Sequence, residues 1–271
     1  MNQQEKLSKL RENLQERGSL AIGFSGGVDS TLLLWVAHDV LGDRVLALTA
    51  RSALHPRQET EESIEMARAW GVQQVVVDSQ ELSAEEFISN PPERCYLCKR
   101  MLFSEFVAIA KERGFDWMAD GTNADDHGDY RPGMQAVTEL GIISPLSEVG
   151  LTKAEIRALS KEYGLNVWNK PAFACLASRI PYGEKITAEK LGRIEAAEKY
   201  LRGKGFAQLR VRHHGDIARI EVAPEERVRF FSGEVMDEVA TALKACGYRY
   251  VALDLEGYRM GSLNERLDEG K

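Results

Sequence analysis

The residues at positions 25–30, Ser-Gly-Gly-Val-Asp-Ser, are of the types that bind a phosphate group. Two adjacent glycines let backbone N–H groups approach an anion closely, and Ser25 and Ser30 add hydroxyl donors. The segment follows a short apolar run at 20–24 and precedes a helical pattern at 31–40. Beyond the carboxyl end of a buried parallel strand, a helix N-terminus presents free N–H groups and a positive dipole end. We therefore predict a nucleotide-binding loop here, named the glycine-rich loop below.

Two common phosphate motifs do not describe the glycine-rich loop. It lacks the Gly-Lys-Ser/Thr ending of a Walker A sequence, and its spacing is not the G-x-G-x-x-G of dinucleotide folds. The structural alternative is a glycine-rich turn that only caps a helix. Six consecutive suitable residues between a strand pattern and a helix pattern favour the nucleotide interpretation.

Two of the four cysteines, Cys95 and Cys98, are three positions apart near the start of a predicted helix. A helix N-terminus favours the thiolate, which is the form that binds metals. A zinc knuckle usually needs a second such pair, and the sequence has none. A thioredoxin-type redox pair is a further alternative, although the flanking residues do not indicate it.

Cys175 is the third candidate for sulfur chemistry. It lies between Lys170 and Arg179, so the local charge is positive, and cationic neighbours favour a reactive thiolate. The alternative is a small buried hydrophobic residue, which is what a free cysteine most often is. For Cys246, in an apolar-patterned helix, that alternative is the better interpretation.

Paired arginines and scattered glutamates mark the last third of the chain. Arg210 and Arg212 are two apart on a predicted strand, so they share one face, and guanidinium groups bind phosphate oxygens bidentately. The alternative is a solvated basic strand edge. Glu198, on the preceding helix, and Glu221, on the next strand, are candidate ligands of a divalent ion or simply solvated carboxylates.

The elements that must position these residues alternate between strand and helix. Strand patterns lie at 20–24, 45–49, 74–78 and 117–120, with helical patterns at 31–40, 59–70, 101–113 and 152–163. Such alternation predicts an α/β fold with a doubly wound parallel sheet. Past position 180 the pattern changes to a long helix, two alternating strands, a mainly helical stretch at 225–246 and a last strand at 248–255. We therefore predict two domains, 1–180 and a second, smaller α/β domain at 181–271.

Composition narrows the classes of function. Of 271 residues, 44% are hydrophobic, which is enough for a full core, yet no apolar run is long enough to span a membrane. The first helix has no signal-peptide pattern, so we expect a cytoplasmic protein. A net charge of −7 without a basic run argues against a nucleic-acid partner.

The glycine-rich loop resembles the SGGxDS loop of the PP-loop ATP pyrophosphatases, which cut ATP between the α and β phosphates. Residues 121–126, GTNADD, resemble the second motif of that superfamily, and residues 49–52 lie where it holds the adenosine. The resemblance implies ATP and Mg²⁺ as cofactors. It assigns magnesium to Asp29 with help from Asp126. The implied nucleotide contacts are Ser25, Gly26, Gly27, Asp29, Ser30, Thr49, Ser52, Gly121, Thr122 and Asn123.

Three further segments resemble the LarE-type sulfurtransferases, so the similarity runs nearly end to end. They are residues 170–181 (KPAFACLASRIP), 209–213 (LRVRH) and 254–262 (DLEGYRMGS). These enzymes adenylylate a carboxylate of pyridinium-3,5-biscarboxylic acid mononucleotide and convert it to a thiocarboxylate, in biosynthesis of the nickel-pincer nucleotide of lactate racemase. The resemblance implies that Arg210 and Arg212 hold the substrate phosphate, and that the enzyme is a homo-oligomer, a hexamer in some members.

The family contains two versions of the sulfur step. In one, the cysteine matching Cys175 gives up its own sulfur and becomes dehydroalanine. In the other, three cysteines hold a [4Fe-4S] cluster whose fourth iron carries a labile sulfide from a sulfide or sulfur donor. Because Cys95 and Cys98 supply two further ligands, we expect the cluster version, with Cys175 as the third ligand.

Three other functions remain open at this point. Some tRNA thiolases also combine SGGxDS with C-x-x-C and a cluster, but the acidic composition argues against tRNA. An amide-forming synthetase on the same fold would use ammonia and would not need these cysteines. A non-catalytic module would bind ATP without releasing pyrophosphate, which the acidic residues of both motifs disfavour.

Overall fold

The computed structural model describes residues 1–128, 132–170 and 175–259, with backbone only for 127, 128 and 132. By internal contacts the chain divides into two compact units. The first comprises Met1–Phe87 and Pro92–Phe173, and the second Ile88–Pro91 and Ala174–Lys271. The assignment of separate functions to 1–180 and 181–271 stays a prediction.

A four-stranded parallel sheet forms the centre of the first unit. In chain order its strands are β1 (Leu20–Gly23), β2 (Val45–Arg51), β3 (Gln73–Asp78) and β4 (Met118–Ala119). Their order across the sheet is β3-β2-β1-β4, with every pairing parallel. Because β1 lies between β2 and β4, the segments that follow β1 and β4 meet at the same carboxyl edge.

The first unit surrounds this sheet with helices. They are α1 (Gln3–Arg17), α2 (Val28–Leu41), α3 (Arg57–Trp70), α4 (Glu85–Ile88, which ends in the second unit), α5 (Arg94–Glu112), α6 (Pro132–Glu139), α7 (Pro145–Glu148) and α8 (Lys153–Glu162).

Both faces of the sheet are covered, which the alternation along the central strands explains. Leu20 and Ile22 belong to a core shared with α1, α2 and α8, whereas Ala21 belongs to a core shared with α5. Successive side chains of a strand point to opposite faces, so an almost wholly apolar strand must be buried on both. The predicted doubly wound α/β fold is confirmed.

Local signals set several helix boundaries. Thr152 accepts a hydrogen bond from the backbone of Glu155, whose carboxylate accepts one from the backbone of Thr152, so a capping box begins α8. Gly71 ends α3 in the left-handed conformation. The fourth strand is shorter than predicted at both ends, and after it the Asp120 side chain accepts a hydrogen bond from the backbone N–H of Thr122 at 3.1 Å.

The second unit is a smaller α/β body. It contains α9 (Ala188–Gly203), β5 (Leu209–His214), β6 (Ile217–Val222), α10 (Gly233–Ala245) and β7 (Tyr250–Leu253). Strand β6 pairs antiparallel with β5 and parallel with β7. The predicted helical stretch at 225–246 is divided: a 3₁₀ segment at Pro224–Phe231 precedes α10, and Ser232 between them has extended backbone.

A helix that crosses a membrane needs about 20 predominantly apolar residues. Across the described ranges, no helix combines that length with that apolar character.

Candidate active site

The glycine-rich loop connects β1 to α2, as predicted. Gly27 is the N-cap of α2, and its carbonyl accepts the first helical hydrogen bond from the Thr31 N–H at 3.0 Å. Ser25 and Ser30 fix the loop between them: their hydroxyl oxygens are 3.1 Å apart, and the Ser25 N–H donates to the Ser30 hydroxyl at 3.3 Å. The first turn of α2 therefore offers backbone donors beside a small preformed hydroxyl network.

Gly26 has a backbone conformation that only glycine adopts freely. Its φ is +71°, and an added Cβ would lie 3.3 Å from the Cβ of Ser63 on α3. The loop therefore passes close to α3, and the glycine at this position has a steric reason.

The GTN loop, residues 121–126, lies against the glycine-rich loop. An added Cβ on Gly121 would lie 3.0 Å from the backbone nitrogen of Ser30, so a side chain here would push the two loops a few tenths of an ångström apart. The buried carboxylate of Asp120 holds the loop: it accepts hydrogen bonds from the Thr122 hydroxyl at 2.6 Å and the Ser144 hydroxyl at 2.7 Å. The two predicted motifs are thus brought together.

Asp29 lies between the two loops. Its Oδ1 accepts a hydrogen bond from the Asn123 amide at 3.4 Å, and its Oδ2 forms an ion pair with Lys153 at the start of α8. The side chain is 21% exposed, so a metal ion could reach it. A partly exposed carboxylate beside a phosphate-type loop is a donor set that fits Mg²⁺, which prefers one or two carboxylates together with substrate phosphates.

Asp126 faces its own loop. Its Oδ2 accepts a hydrogen bond from the Asn123 N–H at 3.0 Å, while the neighbouring Asp125 accepts one from the Lys153 N–H at 2.8 Å. The Asp125 contact ties the GTN loop to α8. The metal-assisting role given to Asp126 stays a prediction.

Thr49 and Ser52 lie at and beyond the carboxyl end of β2. The Thr49 hydroxyl donates to the Phe24 carbonyl at 2.7 Å and accepts from Gln74 at 2.8 Å, so it fixes the start of the glycine-rich loop. Ser52 donates to the buried carboxylate of Glu81 at 3.3 Å. Adenosine contacts by Thr49 and Ser52 stay predictions.

Cys95 and Cys98 lie in the first turns of α5. Cys95 is exposed, and the half-buried Cys98 donates to Glu81 Oε1 at 3.7 Å. A spacing of three places both thiols on one side of the helix, and such thiols fit an iron–sulfur cluster chemically. Among the residues with described side chains, no group of three or more His, Cys, Asp or Glu side chains is arranged to hold a metal ion. The cluster therefore stays a prediction.

Cys175 is half-buried in the second unit and precedes a 3₁₀ turn at Leu176–Arg179. The Arg179 side chain folds back onto it, donating to the Cys175 carbonyl at 3.1 Å. Arg179 is held in turn by Glu198, with nitrogen–oxygen distances of 2.8 and 3.1 Å. The backbone of the candidate sulfur-carrying residue is thus fixed by a buried ion pair.

Glu198 is fully buried and is ion-paired rather than solvated. It meets Arg179 and also Arg202, the latter at 2.7 Å. Burial opposes its ionisation, but the charges of Arg179 and Arg202 outweigh burial and hold the pKa of Glu198 below its ordinary value. The predicted divalent ion at this carboxylate stays a prediction, and any such ion would compete with two guanidinium groups.

The predicted phosphate-binding arginines are both more than nine-tenths buried. Arg212 pairs with Glu221 at 2.9 Å and donates to the Ser178 carbonyl at 2.9 Å, while Arg210 lies over the ring of Tyr258 at 5.0 Å. Burial and the positive charge of Arg179 lower the pKa of Arg210. Glu221 is therefore an ion-pair partner, and its predicted metal role is untested, as is the phosphate role of the arginines.

Some predicted residues lie outside the described part of the chain. They are residues 171–174 of the KPAFACLASRIP segment and residues 260–262 of the tail. Conversely, the contacts of Lys153, Glu81 and Lys170 with the site residues were not predicted. Each of the three acts across a long sequence separation, so no local pattern marks it.

Comparison with known proteins identifies the family. The family model described as NAD synthase matches residues 3–90. An uncharacterized protein of Synechocystis is 43% identical over 262 residues, covering 97% of this chain and 98% of its own length.

Two further relatives differ in how much of the chain they match. The pyridinium-3,5-bisthiocarboxylic acid mononucleotide synthase of Lactiplantibacillus plantarum is 40% identical over 259 residues, covering 95% of this chain and 93% of its own length. A chain of the glutamine-hydrolyzing GMP synthase of Thermococcus kodakarensis is 28% identical and covers 72% of this chain and 67% of its own length. The chain therefore belongs to the LarE-type family of ATP-dependent sulfurtransferases within the PP-loop superfamily.

Proposed function

We propose that this enzyme converts a carboxylate of pyridinium-3,5-biscarboxylic acid mononucleotide to a thiocarboxylate with consumption of ATP, as a step of nickel-pincer nucleotide biosynthesis. The observation that carries the proposal is the 40% identity, over 95% of the chain, to the L. plantarum synthase. The paired loops around Asp29 support the ATP-dependent half of the reaction.

In the first half-reaction, a carboxylate oxygen attacks the α-phosphorus of ATP, the bond to the β-phosphate breaks, and pyrophosphate leaves. The backbone donors of the glycine-rich loop and the Ser25 and Ser30 hydroxyls hold the departing anion. Asp29, positioned by Asn123, would hold the magnesium. When bound, Mg²⁺ supplies neutralisation of the leaving charge.

In the second half-reaction, a sulfur nucleophile attacks the carbonyl carbon of the adenylate and AMP leaves. We propose that Cys95, Cys98 and Cys175 hold a [4Fe-4S] cluster, which supplies a labile sulfide when bound. The competing proposal is that the Cys175 thiolate attacks, followed by loss of its α-proton and cleavage of its Cβ–S bond to leave dehydroalanine. The C-x-x-C pair on one side of α5 supports the cluster.

The acceptor side of the proposal rests on Arg210 and Arg212. Both are oriented by neighbours, Arg210 by Tyr258 and Arg212 by Glu221 and the Ser178 carbonyl. We propose that they bind the phosphate of the mononucleotide. Arg210→Ala and Arg212→Ala should raise the KM for the mononucleotide far more than the KM for ATP, and equal effects on both would contradict the assignment.

The localisation, the assembly and the sulfur source are proposed from the family resemblance. We propose a cytoplasmic homo-oligomer, as in hexameric members, that takes sulfide from solution or from a sulfur-donor protein. Size-exclusion chromatography with light scattering tests the assembly, and a monomer at micromolar concentration would contradict it.

The deciding experiment compares acceptors in a pyrophosphate-release assay with anaerobically prepared protein. We expect release to require the pyridinium dicarboxylate mononucleotide, and to be unaffected by tRNA. Formation of an amide product when ammonia replaces sulfide would identify an amide-forming synthetase. Pyrophosphate release stimulated only by tRNA would identify a tRNA thiolase. Binding of ATP without any pyrophosphate release would identify a non-catalytic module.

A further inference from the structure

The ammonium group of Lys170 lies against the backbone of the glycine-rich loop. Its Nζ donates to the Gly26 carbonyl at 3.3 Å and to the Glu62 carboxylate on α3 at 2.8 Å. The Lys170 side chain is only 16% exposed. A largely buried cation is thus within hydrogen-bond reach of the loop that is proposed to hold pyrophosphate.

The backbone around Lys170 is held as firmly as its ammonium group. Arg157 on α8 donates to the Trp168 carbonyl at 2.6 Å and to the Lys170 carbonyl at 2.8 Å. Two hydrogen bonds from one guanidinium fix the position from which the lysine side chain extends. The ammonium is therefore preorganised beside the loop, which lowers the entropy lost when it binds an anion.

Glu62 is the existing partner of this cation. Burial opposes its ionisation, but the hydrogen bond from Lys170, aided by one from Gln58, outweighs burial and lowers the pKa of Glu62. Glu62 is 39% exposed, more than Lys170, so the pair is open to solvent on the glutamate side. A lysine has three donors, so Lys170 can turn from Glu62 to a phosphate oxygen while keeping its bond to Gly26.

We propose that Lys170 is a polyphosphate ligand of the glycine-rich loop, and that Glu62 holds it in place until the anion binds. The inference rests on the proposed function, in which this loop holds the pyrophosphate end of ATP. It adds a cation to a site for which sequence motifs supplied only backbone donors, hydroxyls and a carboxylate.

The proposal predicts opposite effects from the two partners. Removal of Lys170 removes a ligand, so affinity for the anion must fall. Removal of the Glu62 charge releases Lys170 from its ion pair, so affinity must rise. A merely structural ion pair predicts something else, because breaking it from either side would disturb the loop and weaken binding in both variants.

The experiment measures binding of magnesium pyrophosphate by titration calorimetry at fixed ionic strength, without any acceptor substrate. Lys170→Met is expected to weaken binding by about tenfold, since a hydrogen bond to a charged group contributes an energy of that order. Glu62→Gln is expected to strengthen it by roughly threefold. In the double variant, Glu62→Gln should no longer strengthen pyrophosphate binding, because Lys170 is absent. If the Glu62 charge instead acted directly on the anion, the stronger binding would persist without Lys170.

Lys111→Met is the control for net charge, because it removes the same charge from an exposed position in the last turn of α5. Lys170→Met binding like Lys111→Met, or weaker binding in both Lys170→Met and Glu62→Gln, would overturn the proposal. Because Glu62→Gln keeps its shape, it tests the proposal even if Lys170→Met does not fold. Normal pyrophosphate binding together with no thiocarboxylate product would contradict the proposed acceptor and leave this inference standing.

Discussion

Lys153 and Asp29 are 124 positions apart in the chain and form an ion pair at the mouth of the glycine-rich loop. Lys153 is the first residue of α8, directly after the Thr152 cap, so its backbone is fixed by the capping box. Its ammonium neutralises the carboxylate that is proposed to hold magnesium. A magnesium ion held by Asp29 would compete with Lys153 for this carboxylate, and the displaced ammonium group would be placed to face phosphate oxygens.

The first prediction concerns Asp29. Asp29→Asn should lower the rate of pyrophosphate release by about 100-fold, because charge stabilisation of the leaving group is lost. The measurement is steady-state pyrophosphate release across a magnesium titration. Asp39→Asn is the control, since Asp39 is on the same helix and pairs only at the surface with Arg11. A variant whose magnesium dependence matches that of the parent would contradict the role of Asp29.

The second prediction concerns the contact between the two loops. Gly121→Ala places a methyl group 3.0 Å from the Ser30 nitrogen, so the loops must separate. We expect a raised KM for ATP and a lower free energy of unfolding, by about 1–3 kcal/mol for such overpacking. Gly192→Ala is the control, because its added Cβ meets nothing within 4 Å on α9. That variant should be neutral or slightly stabilising. An unchanged KM for ATP in Gly121→Ala would show that the loops do not act together.

The parts of the fold that local patterns determine were predictable. An apolar strand, two glycines and a helix start are consecutive, so the place of the glycine-rich loop followed from residues 20–31. The capping box of α8 is equally local. The division of the 225–246 stretch into a 3₁₀ segment and α10 was missed, although Ser232-Gly233 is a local break signal: serine is a favoured helix N-cap, and Ser232 is the N-cap residue of α10.

The site itself was only partly predictable, because its charges are paired across the fold. Asp29 was identifiable from its motif, but its partner Lys153 belongs to a different helix. Glu198 was expected to be a metal ligand or a solvated carboxylate, and it lies fully buried against Arg179. Which acid meets which base depends on tertiary packing, and no periodicity in the sequence carries that information.

The third prediction concerns this buried pair. Glu198→Gln leaves the Arg179 charge buried with weaker compensation, so the free energy of unfolding should fall by about 3–5 kcal/mol. Chemical denaturation measures this value. Glu189→Gln on the same helix is the control: its carboxylate is 73% exposed, and its pair with Arg193 should contribute less than about 1 kcal/mol. Equal effects of the two substitutions would contradict the importance of burial.

The lowered pKa of Glu198 also predicts how the stability of the fold depends on pH. Its pKa in the folded state is below the ordinary value of 4.5, so its contribution to stability is present above pH 4.5 and is lost as the pH falls below that value. Repeating the denaturation between pH 7 and pH 3 should show a shallower decline for Glu198→Gln than for the parent. Parallel declines would mean that other carboxylates govern the acid sensitivity.

The fourth prediction separates the two sulfur mechanisms. If Cys95 and Cys98 hold a cluster, Cys95→Ala and Cys98→Ala should each abolish iron and labile sulfide after anaerobic reconstitution. Cys246→Ala is the control, since that thiol packs against the core of the second unit, where burial raises its pKa. A parent protein that binds no iron would contradict the cluster and favour sulfur donation from Cys175.

The central claim is sulfur transfer to the pyridinium dicarboxylate mononucleotide, and a single anaerobic turnover with ATP, Mg²⁺ and sulfide tests it most directly. Mass spectrometry follows both the small molecule and the peptide that contains Cys175. We predict a mononucleotide in which one oxygen is replaced by sulfur, equimolar AMP and pyrophosphate, and an unchanged peptide. Loss of hydrogen sulfide from the peptide would show that Cys175, rather than a cluster, donates the sulfur. An unmodified mononucleotide, with ATP intact, would contradict the proposed function itself.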